Sequence, residues 1–296
     1  MRIRYALPVA ALLAVLAACD STLKVSITDA PPLTSATKVW LQFSGIEIKP
    51  VGGKAESFEF SPAKGFDLLT LQNGVVATLL DDTTVTAGSY EWIRLKMDGT
   101  AGSSYVVDAA GQHPLGIPSG AESGLKTGSF SMPADGRADL TIDFVLHKSI
   151  IAPPGQSPEF VLKPVLRLVD NLDAGVIAGA FTSMTLAAVC NGKAPLVYLY
   201  SGANVVPDDI YNPLDGGADT NPDVDPLLTA STASNSSAQY AYRIGFVPAG
   251  TYTVAYSCDV DDPVVDENRA PAVALKFVTY PQPVTVVAEQ TATVNF

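Results

Sequence analysis

Long amphipathic helices are missing from this 296-residue sequence, which points away from a helical fold. After residue 19 there is no apolar run of the ~20 residues that a membrane-spanning helix needs. Cysteine and histidine are scarce, at three and two residues. No Cys-x-x-Cys pair or Cys/His cluster occurs, which disfavours zinc and thiol redox chemistry. Gly-x-Ser-x-Gly is also absent, so no nucleophile elbow is encoded. Basic residues number 18 against 30 acidic ones, and the aromatics do not interleave with Lys or Arg. That balance argues against nucleic acid and against electrostatic adhesion to anionic lipid.

What is present begins with a targeting pattern. Met1-Arg2-Ile3-Arg4-Tyr5 is a short positive segment, and an apolar stretch follows from Ala6 to Leu16, broken by Pro8. This is the order and size of a secretory signal peptide. It closes on Leu16-Ala17-Ala18-Cys19, which resembles the lipobox of bacterial lipoproteins. The resemblance implies cleavage before Cys19, diacylglyceryl and palmitate-class acyl chains on that cysteine, and an extracytoplasmic chain held to a membrane. Each buried CH₂ contributes about 0.8 kcal/mol; one chain binds marginally, whereas two or three make the anchor effectively permanent. The alternative is an ordinary secreted protein with an incidental cysteine. Asp20 resembles the inner-membrane retention signal of enteric bacteria, but sorting rules differ between bacteria and the choice of membrane is open.

Removing residues 1–18 takes away Arg2 and Arg4 and moves the formal charge from −12 to −14. The remaining length is ample for one or two domains. Cys190 and Cys258 are then the remaining pair, 68 residues apart. In an oxidising compartment they are expected as a disulfide, with two separate buried thiols as the alternative.

Period-two alternation dominates the chain. It is plain in Leu23 to Thr28, Val39 to Phe43, Ile46 to Lys49, Trp92 to Met97 and Leu140 to His147. Such segments are strands with one face on a core. Turn residues separate them at Gly52-Gly53, Asn73-Gly74, Ala87-Gly88, Asp98-Gly99 and Asp135-Gly136. Phe66 to Leu80 is either a hairpin around Asn73-Gly74 or a short helical turn leading into an edge strand. Ile150 to Glu159, with its prolines, is expected as a loop. The pattern restarts near residue 173, with strands at Val176–Gly179, Pro195–Tyr200, Tyr240–Phe246, Thr251–Tyr256, Ala272–Phe277, Val284–Ala288 and Thr291–Phe296. A long polar interval, Ser201 to Ala238, lies between. The expected fold is all-β: two immunoglobulin-like or transthyretin-like β-sandwich domains after the signal peptide. Their bounds are 1–18 for the signal peptide, 19–22 for a lipidated tether, and 23–172 and 173–296 for the sandwiches. Ala87-Gly88-Ser89-Tyr90 and Ala249-Gly250-Thr251-Tyr252 echo one another, each opening an alternating strand.

Leu23-Lys24-Val25-Ser26-Ile27-Thr28-Asp29-Ala30-Pro31 resembles the opening of bacterial lipoproteins of the domain of unknown function 4382 family. Phe66-Asp67-Leu68-Leu69, Ala87-Gly88-Ser89-Tyr90, Ile93-Arg94-Leu95 and Ile142-Asp143-Phe144 follow in the order of that family, over about residues 22–170. The resemblance implies a β-sandwich in the cell envelope and brings no catalytic residues. Phe246 to Val254 resembles a strand–turn–strand of carboxypeptidase-regulatory-like and transthyretin-like sandwiches. Those are structural or binding modules, some of them carbohydrate-binding-like.

Candidate chemistry is thin. His113 precedes Pro114 in a Gly-rich loop, and His147 is expected on the polar face of the Leu140–His147 strand. A triad through His147 or a glycosidase-like pairing of Asp67 with Asp143 would need a convergence that the sequence does not supply. Asp219, Asn221, Asp223 and Asp225 set oxygen ligands at alternate positions, as calcium favours. Read as an EF-hand loop from Asp219 the segment fails, with Val224 at the sixth position and Ala230 at the twelfth. A second acidic group, from Asp259 to Glu267, follows Cys258. No other cofactor is expected. The expected function is a membrane-anchored, non-enzymatic envelope module binding a glycan or a protein. The rivals are an envelope-polymer hydrolase and a calcium-dependent adhesin.

Overall fold

A computed structural model describes residues 20–30, 36–117, 124–151, 160–208, 210, 224–234, 240–259, 275–278 and 281–296. Its strands in the first part are β1 (Asp20–Ala30), β2 (Ala36–Pro50), β3 (Glu56–Asp67), β4 (Ala77–Thr86), β5 (Gly88–Met97), β6 (Tyr105–Asp108) and β7 (Gly111–Gly116). There follow β8 (Leu125–Lys126), β9 (Phe130–Met132), β10 (Arg137–Val145), β11 (Ile150–Ile151), β12 (Phe160–Leu162) and β13 (Leu166–Asp170). The second part has β14 (Ala174–Phe181), β15 (Leu196–Ser201), β16 (Leu228–Ser231), β17 (Ala233–Ser234), β18 (Tyr240–Pro248), β19 (Gly250–Ser257), β20 (Gln282–Val286) and β21 (Thr291–Thr293). Two short helices, α1 (Leu146–Ser149) and α2 (Ser183–Val189), complete the described elements together with a 3-10 turn at Leu68–Thr70.

The strands form two face-to-face pairs of sheets. In the first pair, a four-stranded sheet of order β13-β10-β1-β4 packs on a nine-stranded sheet whose spine runs β11-β12-β7-β6-β2-β5-β8. Apolar residues one apart in the pleat meet between them: Leu23, Val25 and Ile27 of β1, Val39, Leu41 and Phe43 of β2, and Leu140, Ile142 and Phe144 of β10 are all buried. The second pair joins β17-β18-β14-β21 to β16-β15-β19-β20. Its core gathers Ile177, Val197, Leu199, Ile244 and Val254, with Phe181 ringed by Tyr242, Tyr256 and Phe296. The fold is an all-β arrangement of sandwiches. The passage between the pairs is a turn in which the Asp173 amide reaches the Asp170 carbonyl at 3.1 Å.

Local details follow from residue type. Asn73 and Gly74 both take positive φ (58° and 83°), and Val75 N closes the turn on Gln72 O at 3.1 Å. That is the conformation Asn-Gly favours. Of the two readings of Phe66–Leu80, the helical turn into an edge strand is the one observed: the 3-10 turn is capped by Asp67, and β4 is an outer strand.

Several local expectations need correction. The Leu140–His147 strand stops at Val145, and His147 lies in α1 rather than on a polar strand face. Ile150–Ile151, expected as loop, pairs with β12; residues 152–159 lie outside the described residues. The polar interval contains β16 and β17, and α2 was not foreseen. Of Ala272–Phe277, only 275–277 are described, and Phe277 makes an isolated bridge to Ser257. Residues 20–22, expected within a tether, already belong to β1, paired with β4 from Asp20 onward.

Candidate functional site

The outer face of the β13-β10-β1-β4 sheet carries a polar row where simple alternation expects a wet surface. Register places Thr28 beside Asp143 and Asp143 beside Arg167. Yet Thr28 and Asp143 are each only 3% exposed, because β16 and β18 of the second sheet pair cover them. Thr28 answers burial by directing its hydroxyl to the carbonyls of Leu71 and Val75, at 2.8 and 2.7 Å. Asp143 Oδ2 accepts from Arg167 Nη1 at 3.1 Å, and Arg167 Nη2 donates across the seam to the Phe246 carbonyl at 2.9 Å.

The backbone of β18 is shaped for that contact. Two residues, Gly245 and Phe246, stand opposite Val176 alone, since Gly175 pairs with Val247 and Ile177 with Ile244. This bulge puts Phe246 at φ +56°, an uncommon conformation for a bulky side chain. Gly245 meanwhile lies against Gly74: a Cβ at 245 would sit 3.1 Å from the Gly74 Cα. The two glycines let the Asn73-Gly74 turn touch the bulge directly.

A cleft of about 20 Å³ opens at this seam, with Asp29, Asp143, Gln72, Ser231 and Arg243 among its lining. That is room for roughly one water molecule, not for a substrate. Burial raises the Asp143 carboxyl to about 6, and Arg167 only partly offsets it. The Oδ1 atom of Asp143 has no hydrogen-bond donor among the described protein groups.

A second feature is the outward face of the nine-stranded sheet. Trp40 on β2 lies over Gly65 of β3 and stacks with Tyr105 of β6, centroids 6.2 Å apart, with the Lys38 ammonium 5.3 Å from its ring. Further along the same face Trp92 takes the Arg94 guanidinium at 4.5 Å and the Lys126 ammonium at 4.7 Å. Arg94 also pairs with Glu47 at 2.7 Å, and Lys49 and Lys96 pair with Glu91 and Glu59. Trp40, Tyr105 and Trp92 are half-buried, and Lys126 is exposed. Sequence reading treats these aromatics as scattered; only cross-strand register brings them to one face.

The residues singled out from sequence fare differently. Cys190 and Cys258 form a disulfide with Cα atoms 5.0 Å apart. Cys19 lies outside the described residues, as do Asp219, Asn221 and Asp223, which leaves Asp225 alone of the four. Asp259 is the one described member of the second acidic group. Among the described residues no three His, Cys, Asp or Glu side chains gather as a metal site, and no helix is long and apolar enough to cross a membrane. His113 is spent on Asp108 at 2.9 Å, a bond that holds the Asp108 carboxyl below its usual range. Asp67 accepts from the amides of Val39 and Leu69, on a different sheet from Asp143, so the two do not act as a carboxylate pair.

The alternating opening strand, the 3-10 turn capped by Asp67 and the β5 and β10 strands all fall within one match to a family model, Domain of unknown function (DUF4382), over residues 20–164. Residues 20–164 belong to the DUF4382 family. The DUF4382 match ends before β13, so the second sheet pair lies outside it. No curated protein matches the chain. Solved structures similar to this chain include the Bacillus anthracis TIE protein, at 10% identity and TM-score 0.21 over 93% of this chain and 34% of that one. The chain therefore spans about a third of the TIE protein. Others are the minor pilin GBS52 of Streptococcus agalactiae (11% identity, TM-score 0.21, 92% and 94% covered) and the major pilin subunit BcpA of Bacillus cereus (9%, 0.20, 94% and 69%).

Proposed function

We propose that this chain is a lipid-anchored, non-enzymatic module of the cell envelope, tethered at Cys19, that binds a glycan or a protein through the outward face of its nine-stranded sheet. The observation that supports this reading is the array of Trp40, Tyr105 and Trp92 interspersed with Lys38, Arg94 and Lys126. Half-exposed aromatic rings stack on sugar faces or apolar side chains, and the cations beside them add polar contacts. Enzymatic readings find less to stand on. Among the described residues, the cleft beside the seam carboxylates has room for about one water molecule, and His113 and Asp67 are engaged in local structure.

Two measurements test the proposal. Mass spectrometry of the membrane-extracted protein should find an N-terminus at Cys19 carrying diacylglyceryl; an intact Met1 or an unmodified cysteine would remove the anchor. A glycan and envelope-polymer binding screen should return a ligand whose retention falls at least tenfold in Trp92→Ala or Trp40→Ala, as expected when an aromatic anchor of a binding face is truncated. Release of soluble product from the bound polymer would instead establish a hydrolase.

A further inference from the structure

Asp143 sits in the seam between the two sheet pairs with one oxygen paired and the other without a donor. Oδ2 has Arg167; Oδ1 is fully buried and meets no protein hydrogen-bond donor among the described residues. Burying half a carboxylate in this way disfavours the charged form unless a proton satisfies that oxygen or the seam parts and water reaches it. Those two remedies belong to different states of the joint. The proton suits the closed seam, and hydration suits the parted one.

We propose that the seam is an acid-tightened joint: protonation of Asp143 holds β10 and β13 against β18, and ionisation favours their separation. The sign follows from linkage, since the state that binds a proton more tightly gains as pH falls. It runs opposite to a reading in which the Asp143–Arg167 ion pair is the clamp. Burial outweighs Arg167 in setting the proton affinity of Asp143.

Among the described residues, charged and titratable groups stand around Asp143 on several strands. Arg167 of β13 faces it directly, and Arg243 of β18 and Asp29 of β1 line the same cleft. Tyr252 of β19 feels Arg167 and is held protonated by burial. Farther along the same face, Asp139 pairs with Lys24 and Arg137. Among the described residues, the side-chain hydrogen bonds that cross the seam are those from Arg167 to Phe246 and from the Ser231 hydroxyl to Gln72, beside the touching glycines. In the proposed joint, opening is a local event that leaves each sandwich core intact.

The experiment reads rare openings in the full chain. Thr229, 5% exposed and facing the cleft, is replaced in Thr229→Cys, and the rate at which a thiol reagent modifies the new side chain is measured from pH 4.5 to 8. Each rate is divided by that of an unstructured peptide thiol at the same pH, and the modified residue is identified by mass, which separates it from Cys19. With Asp143 near 6 closed and at its ordinary 3.8 when hydrated, corrected labelling should be about tenfold slower at pH 5 than at pH 8. Asp143→Asn in the same background should abolish that dependence. Arg167→Gln, which removes the charge opposing protonation, should move the midpoint to higher pH. Corrected rates that are equal across the range, faster labelling in acid, or a dependence that survives Asp143→Asn would each overturn the proposal. If Asp143→Asn does not fold, an unmoved midpoint in Arg167→Gln overturns it.

Discussion

Tyr90 and Tyr252 stand in the same relation to their own chains. Each hydroxyl donates to the carbonyl four residues earlier, Thr86 at 2.7 Å and Pro248 at 2.8 Å. Each follows a glycine that opens a strand, and each ring is buried in a different sandwich core. The Ala-Gly-hydroxyl-Tyr echo is therefore a structural device used twice. The tyrosine pins the incoming turn to the strand it starts, much as the tyrosine corner of immunoglobulin-like sandwiches does. Tyr90→Phe and Tyr252→Phe should each lower unfolding free energy by about 1 kcal/mol, the net worth of one such bond plus the carbonyl left unpaired. Urea titration checks this, and a silent Tyr252→Phe would mean that the second bond contributes nothing.

The disulfide makes a larger contribution. It joins the end of α2 to the residue after β19 and closes a loop of 68 residues. Chain entropy assigns such a closure roughly 4 kcal/mol. Cys190→Ser with Cys258→Ser should lower the melting temperature of the second sandwich about as much as truncation of a large core side chain does. A calorimetric scan showing no change would contradict this.

Stability should also carry a signature of Asp143. Its carboxyl titrates at about 6 folded and at its ordinary 3.8 unfolded. The folded chain thus holds the extra proton between those values, and this group's contribution is complete below about 4. It is lost as pH rises through about 6, by about 3 kcal/mol in all. Many carboxylates titrate in acid, so the useful quantity is the difference between wild type and Asp143→Asn in chemical denaturation. The variant should gain relative to wild type as pH rises from 4 to 7; a difference that stays constant would exclude the effect.

Among the described glycines of the second sandwich, Gly179 leaves the least room for a side chain. A Cβ there would fall 1.6 Å from the Val294 carbonyl oxygen, across the β14–β21 ladder. Gly179→Ala should cost about 2 kcal/mol or more through displacement of β21. Gly128, whose Cβ would meet nothing within 4 Å, serves as the control, with Gly128→Ala close to neutral.

Much of this architecture was legible in the residues. Alternation marked β1, β2, β5 and β10, and Asn73-Gly74 marked its turn, because each is a local signal. Failures came where the deciding partner is distant. Leu228–Ser231 is too short and too polar in its setting to register as a strand, and it is fixed by pairing with β15. Thr182 caps α2 through the Thr185 amide, yet seven residues give too little period to read. Period two correctly put Thr28 and Asp143 opposite the core. It could not say that a second sandwich covers that face, because Phe246 lies 79 residues from Arg167. The aromatic array on the nine-stranded sheet was hidden for the same reason, since Trp40 and Tyr105 meet only through the β2–β6 register.

The place of β1 has a mechanical side. The strand begins at Asp20 and is interior, with β10 parallel on one side from Thr22 to Ala30 and β4 antiparallel on the other. A pull on residue 20 along the strand does not peel one bond at a time from an edge. It loads both ladders together in shear, and Leu23, Val25 and Ile27 must slide out of the core before either gives way. The end of the fold nearest residue 19 thus shares any tension between two ladders and the core beneath them.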